Sequence, residues 1–267
     1  MENDALFLET TIIDKEFLGT VEEKEQINEI KSKFNDVYSS TYVVMEYNRT
    51  VLRDLFYLNN ICAEATKISE VLEQINKLKY QNNKFKRCFQ FIIQFFAKSE
   101  EKILNTDDKN MNDLVLDKIK TYFELIIPDA IDYPKSMSLV NETDCYNAKV
   151  IPKEHKGLYR IKLTNCDKNK IKCKINDFIT NNKKSFECIL SELKKKTDAD
   201  NEQIKMRDAI ENTLRNPDNG ANKKNCWNCG DAIIAVECRE DNQLFTTNIK
   251  HYNLICDAIG KKIITFN

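Results

Sequence analysis

The chain has 267 residues, 42% of them hydrophobic and 31% charged, and its 41 Lys and Arg against 42 Asp and Glu leave a net charge of −1. That length is enough for one or two domains with a buried core, and the composition excludes a disordered polymer. The charge balance excludes a protein that holds polyanions by its overall charge, although it leaves room for a local basic patch.

Five Gly and four Pro are few for this length and predict long helices with short connections. No apolar run approaches the roughly 20 residues that cross a bilayer, so no membrane partner is expected. Met1-Glu2-Asn3-Asp4 lacks the basic start of a secretory signal. The expected location is cytoplasmic, where cysteines are thiols or metal ligands.

In chain order, Leu6-Phe7-Leu8 reads as a short buried strand running into Glu9-Thr10-Thr11-Ile12-Ile13. A helix is predicted over 21–34. The next begins near Ser39-Ser40-Thr41, residue types suited to capping, and carries apolar residues at Val44, Tyr47, Val51, Leu52 and Leu55 with a 3.6-residue period. From 61 to 127 the pattern stays helical, and Pro128 is expected to end it. Residues 128–157 read as irregular, and Tyr159 to Leu163 alternates like a strand. Helices are predicted over 176–195 and 201–214, then a turn at Asn216-Pro217-Asp218-Asn219-Gly220. Last come a helix after Asp231, a strand over 243–246, a helix over 252–259 and a strand over 262–266. Both ends alternate strand and helix while the middle is helical. The simplest arrangement is one α/β unit built from both ends and carrying a large insertion.

Four segments single themselves out: Phe7-Leu8-Glu9-Thr10-Thr11-Ile12-Ile13-Asp14, Val44-Met45-Glu46-Tyr47-Asn48-Arg49-Thr50, Gly230-Asp231-Ala232-Ile233-Ile234-Ala235 and Thr246-Thr247-Asn248-Ile249-Lys250-His251-Tyr252. Each puts an acidic or amide side chain beside an apolar strand or at a helix start. In an open α/β sheet, chemistry gathers at such places. In this order the segments resemble those of PIN domains, most closely the ribonuclease toxins of bacterial toxin–antitoxin pairs, over roughly the first 60 and last 45 residues. The resemblance implies a Rossmann-like parallel sheet flanked by helices, formed by residues 1–60 and 222–267, with a mostly helical insertion over 61–221.

It also implies a function: hydrolysis of RNA phosphodiester bonds with Mg²⁺ or Mn²⁺ held by carboxylates. By position, Glu9 stands in for the usual first Asp, Glu46 matches the helix Glu, Asp231 matches the Asp opening the late helix, and Asn248 stands where many members have a fourth Asp. Thr247 matches the neighbouring hydroxyl, and Arg49 is a candidate to meet substrate phosphate. Implied partners are RNA, a protein such as an antitoxin, and a second copy of the chain. Two departures bear on activity: Glu9 is one methylene longer than Asp, and Asn248 lacks a charge. They leave open a PIN-like module that binds RNA or a protein without cleaving; DNA cleavage would use the same chemistry. Plain structural roles also stand: Asp231 as an N-cap, Glu46 with Arg49 as a surface pair, Asn248 as a turn residue.

The chain has ten cysteines. Cys226-Trp227-Asn228-Cys229 is a CxxC directly before Gly230, and Cys166 with Cys173 forms a wider pair. Four such thiolates suit a closed structural Zn²⁺ site, placing a zinc-binding segment within 160–229. A redox-active CxxC and plain buried thiols are the alternatives. Cys62, Cys88, Cys188, Cys238 and Cys256 fall in apolar helical patterns and are expected in the core. The histidines number two, His155 and His251, and a surface position is expected for His251. Lys168 to Lys174, Lys183-Lys184, Lys194 to Lys196 and Lys223-Lys224 are solvated faces or one polyanion groove.

Overall fold

A computed structural model describes residues 5–98, 111–164, 166, 173–216 and 223–266. Among these, strands β1 (Ala5–Leu8), β2 (Asp36–Ser40), β3 (Ser138–Val140), β6 (Gln243–Phe245) and β7 (Lys262–Ile264) form one sheet in the order β3-β2-β1-β6-β7. Every pairing in it is parallel, Leu8 facing Phe245 across β1 and β6, and Ser40 facing Val140 across β2 and β3. A separate antiparallel hairpin joins β4 (Lys153–His155) to β5 (Leu158–Arg160). Its tight turn places Lys156 and Gly157 at positive φ, 52° and 76°.

The sheet is covered on both faces because its strands alternate. Leu6, Leu8 and Phe245 pack against Ile12 of α1 (Thr10–Leu18) and Ile27 of α2 (Val21–Lys31). Phe7 and Leu244 point into the larger core on the other face, where Phe7 meets the Tyr38 ring edge-on at 5.0 Å. That core continues through α3 (Thr41–Tyr47), a π-turn at Asn48–Leu52, α4 (Arg53–Glu64), α5 (Ile68–Asn76), α6 (Asn82–Lys98) and α7 (Met111–Asp132). It also takes in α8 (Ile175–Asn181), α9 (Lys183–Lys195), α10 (Asn201–Arg215), α11 (Lys223–Asn228), α12 (Gly230–Glu237) and α13 (Ile249–Ile259).

Helix starts follow the capping residues. Thr20 makes a capping box with Glu23 on α2, Ser40 accepts from the Val43 amide on α3, and Asp200 caps α10 with Gln203. Gly260 closes α13 in the left-handed conformation that favours glycine, at φ 70°.

The structure departs from the sequence reading in several places. Pro128 lies inside α7, which runs four residues further. Pro128 has no N–H to give the Glu124 carbonyl, so the helix continues with one internal bond forgone, and the Tyr47 hydroxyl takes up the Ala130 carbonyl, one of the last four, at 2.9 Å. The helix predicted over 176–195 is two helices, broken at Asn182, whose side chain donates to the Phe178 carbonyl at 2.9 Å. β3 rises from the stretch read as irregular and gives the sheet an edge strand from within the expected insertion. The strand predicted over 159–163 is Leu158–Arg160. Cys188 is exposed, not in the core. The turn at 216–220 and the lysine run at 168–174 lie mostly outside the described residues. No helix among the described residues is long and apolar enough to cross a membrane.

Candidate functional site

The strand order reverses between β1 and β6: β2 and β3 follow on one side of β1, β6 and β7 on the other. A crevice at the carboxyl ends of strands is expected at such a switch point, and this is where Glu9 and Thr246 sit, directly after β1 and β6. Glu9 is 3% exposed. Its Oε2 accepts from the Thr11 amide at 2.9 Å, the Thr246 hydroxyl at 3.0 Å and the Thr11 hydroxyl. The first is its N-cap bond to α1. Its own amide donates to the Phe245 carbonyl, holding the two strand ends together.

Glu46 comes from α3 and accepts from the Thr10 hydroxyl at 2.8 Å, so successive residues after β1 handle two different carboxylates. Asp231 lies in the first turn of α12. Gly230, before it, packs so closely that a Cβ there would stand 2.8 Å from Glu46 Oε1 and 3.4 Å from the Tyr42 hydroxyl. Glu46 thus lies against the helix start that carries Asp231.

These acids feel one another. Burial, with Asp231 and Glu46 nearby, pushes the Glu9 carboxyl up to about 8, against the pull of its Thr11 hydrogen bonds. Burial pushes Glu46 up to about 7, opposed first by the Arg49 guanidinium and reinforced by Asp231; the residue keeps some accessible surface, which moderates the effect. Tyr252, fully buried on α13, has a hydroxyl with no hydrogen-bond partner. Burial raises its phenol, and Glu9, Asp231 and Glu46 each raise it further, so it stands in the field of all three acids. Among the described residues, no three His, Cys, Asp or Glu side chains are drawn together closely enough to hold a metal ion. The acids are neighbours with protein donors between them.

The structure brings Asn248 and His251 to the same place. The Asn248 amide donates to the Thr246 hydroxyl at 3.0 Å, and its side-chain nitrogen lies 3.3 Å from His251 Nδ1. His251 is buried rather than on the surface, with Nδ1 3.0 Å from Asp231 Oδ2 and Nε2 3.6 Å from both Asp200 and Glu202. The Asp231 hydrogen bond, and then charge from Asp231, Asp200 and Glu202, raises its pKa against the effect of burial. Thr247 does not reach Glu9 as Thr246 does; its amide donates to the Thr11 hydroxyl at 3.0 Å. Lys250 pairs with Asp200 at 2.7 Å on the surface.

Arg49 stacks over Trp227 at 4.3 Å from the ring centroid. One guanidinium nitrogen of Arg49 is buried without a partner, while Trp227 is 41% exposed. Several lysines of the runs read as solvated faces or a polyanion groove pair with acids at the surface: Lys183 with Glu187, Lys194 with Glu211, Lys195 with Glu192.

Of the expected zinc set, Cys226 and Cys229 are buried and Cys166 and Cys173 half-buried, and burial raises the thiols of Cys173, Cys226 and Cys229, the last to about 12. A cleft of about 880 Å³ opens at the opposite edge of the sheet, where Ala5, Asp36, Ser138 and Lys262 begin or flank their strands, and lies away from the carboxylates.

Sequence reading missed Thr10, Thr246 and Tyr252 as members of the site. Thr246 was detectable as the polar residue ending a strand. Tyr252 and His251 fall four and three residues after Asn248, hence on its face of α13. No family model, curated protein or solved structure matches the chain.

Proposed function

We propose that the chain is a PIN-like, Mg²⁺- or Mn²⁺-dependent endoribonuclease. The observation that carries this reading is that Glu9, Glu46 and Asp231 come from three separate elements to neighbouring places at the switch point of a parallel sheet, Glu46 lying against Gly230 beside Asp231 and the unpartnered Tyr252 hydroxyl standing in the field of all three. Burying acids together is unfavourable, and here it holds Glu9 and Glu46 partly protonated near neutral pH. A divalent cation is the partner that would let them ionise where they are.

Glu9, Glu46 and Asp231 would hold the ion, and their oxygen-only donor set suits Mg²⁺ or Mn²⁺ over softer metals. Bound there, such an ion supplies an acidified water and charge stabilisation on phosphoryl and leaving oxygens. The chain's own residues do the rest. Thr11 and Thr246 fix the Glu9 carboxyl in orientation, and Thr10 fixes Glu46. His251, hydrogen-bonded to Asp231, holds a proton beside that carboxylate, and Asn248 steadies the turn that carries it. Arg49 and the exposed face of Trp227 offer a guanidinium for phosphate and a ring on which a single-stranded base can stack.

A second reading is favoured by one specific observation. Glu9 Oε2 and Asp231 Oδ2 already have protein hydrogen-bond partners, and the acids are not drawn to coordination spacing. On that reading the chain is a PIN-like module that binds RNA or a protein partner without cleaving.

The test is incubation with labelled single-stranded RNA, and with DNA in parallel, in Mn²⁺ with and without chelator. The nuclease reading expects chelator-sensitive RNA cleavage that Glu9→Gln and Asp231→Asn each reduce by about 100-fold or more, a barrier increase of about 2.7 kcal/mol. RNA binding with no chelator-sensitive cleavage supports the second reading. Cleavage unchanged in both variants sinks the first.

A further inference from the structure

We propose that Arg49, Arg53 and Lys84 form a phosphate track that holds an RNA strand on one side of the acidic crevice. The inference rests on the reading of the chain as an RNA-binding protein, whether or not it cleaves, and adds the path that the strand follows.

The track is built on a single rod. α3, the π-turn Asn48–Leu52 and α4 follow one another with helical backbone at both junctions, so residues 41–64 are one continuous helix. Between Glu46 and Tyr57, the residues of that rod that escape burial are Glu46, Arg49, Thr50, Arg53 and Tyr57. They recur every three or four positions and therefore share one outward face. The π-turn takes up an extra residue, which leaves Arg49 and Thr50 both open. From Glu46 the face runs about 10 Å to Arg53 and about 16 Å to Tyr57, at about 1.5 Å per residue.

Lys84 extends it. α6 carries its Nζ to 3.4 Å from the centre of the Tyr57 ring. At the near end, Arg49 lies over the Trp227 ring at 4.3 Å, and one of its guanidinium nitrogens is buried without a partner. Between them Arg53 is half exposed, and its contact with an acid is long: Nε stands 3.7 Å from Asp54 Oδ1. Asp54 itself turns inward. It is fully buried, and its Oδ2 accepts from Arg87 Nε at 2.8 Å.

Past Glu46, then, the outer face of the rod presents cations alone as far as Tyr57. The segment that brings Lys84 adds to the same sign. Residues 77–98 hold six Lys and Arg and no Asp or Glu, and two of the six, Lys77 and Arg87, pair with acids of other helices. In a chain of net charge −1 this separation leaves a local surface of one sign.

That chemistry selects the partner. A guanidinium meets phosphate through two parallel hydrogen bonds, and an ammonium meets it as a point charge. Arg49, Arg53 and Tyr57 are four positions apart, about 6 Å along the rod, a step comparable to that between phosphates of an extended strand. A second copy of the chain would set like charges against each other. The exposed Trp227 ring beside Arg49 gives a base a surface on which to stack. Phosphate contacts position a strand without reading its bases, so the track holds RNA against the crevice whatever its sequence.

The test measures binding in chelator, by fluorescence anisotropy of labelled oligo(U) and oligo(A) over a range of salt. Arg53→Gln and Lys84→Gln should each weaken binding about 5-fold at about 0.1 M salt and lower the salt slope by about 0.7, the share of one phosphate contact on a single strand; the double variant should lose about 25-fold. Lys33→Gln removes the same charge just after α2, on the opposite face of the sheet, and should leave affinity unchanged. Circular dichroism checks the fold, and if Lys84→Gln is disturbed, Arg53→Gln at its half-exposed position decides. Unchanged affinity and slope in Arg53→Gln overturn the track. So do a loss no greater than that of Lys33→Gln, a loss confined to one of the two sequences, and binding of anionic phospholipid vesicles in place of RNA. Metal-dependent cleavage with affinity unchanged in these variants removes the track and leaves the nuclease standing. The expected losses without any cleavage keep the track and remove the nuclease.

Discussion

Glu9→Gln isolates the cost of a buried acid at the switch point. Glu9 is 3% exposed, and its carboxyl titrates at about 8 instead of 4.5. The folded chain therefore keeps a proton that the unfolded chain releases, so stability is highest below about pH 4.5 with respect to this group. It falls as pH rises, levelling off only above about pH 8. At about 1.36 kcal/mol per pH unit, Glu9 subtracts roughly 1.4 kcal/mol at about pH 5.5 and roughly 4.6 kcal/mol at about pH 8.5. Glutamine keeps an acceptor for the Thr11 and Thr246 donors but never ionises. Urea unfolding in chelator at these two pH values is the assay. The wild-type chain should lose about 3 kcal/mol more than Glu9→Gln over that interval, since Asp14 and Glu237 titrate in both and cancel. Added Mn²⁺ should restore much of the wild-type loss at the higher pH and little in the variant. Parallel pH dependence in the two proteins would show that Glu9 ionises without penalty, and the picture of a charge-starved cluster would be wrong.

Gly230→Ala places a Cβ 2.8 Å from Glu46 Oε1 at a helical glycine without positive φ. The flexible carboxylate yields, so stability should change by less than about 1 kcal/mol while metal-dependent cleavage falls about 10-fold or more, measured by thermal unfolding beside the cleavage assay. With two histidines in the chain, proton NMR can follow His251 directly: its pKa should lie above 6.5 and drop in Asp231→Asn, and an unchanged value would contradict the Nδ1 to Asp231 bond. Arg87 donates to fully buried Asp54 through Nε at 2.8 Å, with Nη2 ion-paired 2.7 Å from the same carboxylate oxygen, and also lowers the pKa of Asp14, which burial raises to about 7. Arg87→Leu strands both acids and should cost about 3–5 kcal/mol in chemical denaturation, and a loss under about 1 kcal/mol would refute the pairing.

How much was legible in the sequence depended on whether a segment's role is local. β1 and β7 show as short apolar runs, Glu9 and Asp231 stand out as acids placed where apolar elements end or begin, and Glu46 as an acid within an apolar helix. β2 was hidden because Asp-Val-Tyr-Ser-Ser looks like a loop. In the structure its last serines are fully buried, Ser39 donating to the Leu8 carbonyl at 2.8 Å and Ser40 capping α3. β3, three residues at the sheet edge, has too little pattern to read. The site's partners were less legible than its acids: Thr246 and Tyr252 acquire meaning only when β6 lies beside β1 and α13 crosses behind them.

The middle strand of the sheet is also the first to be synthesised. On the ribosome, β1 and β2 emerge long before β6, so Leu6-Phe7-Leu8 spends most of translation with one backbone edge unpaired, an invitation to wrong partners. The same delay means that Glu9 waits for Asp231 and Thr246, and no nascent chain holds these acids side by side until the segment carrying β6 has left the exit tunnel.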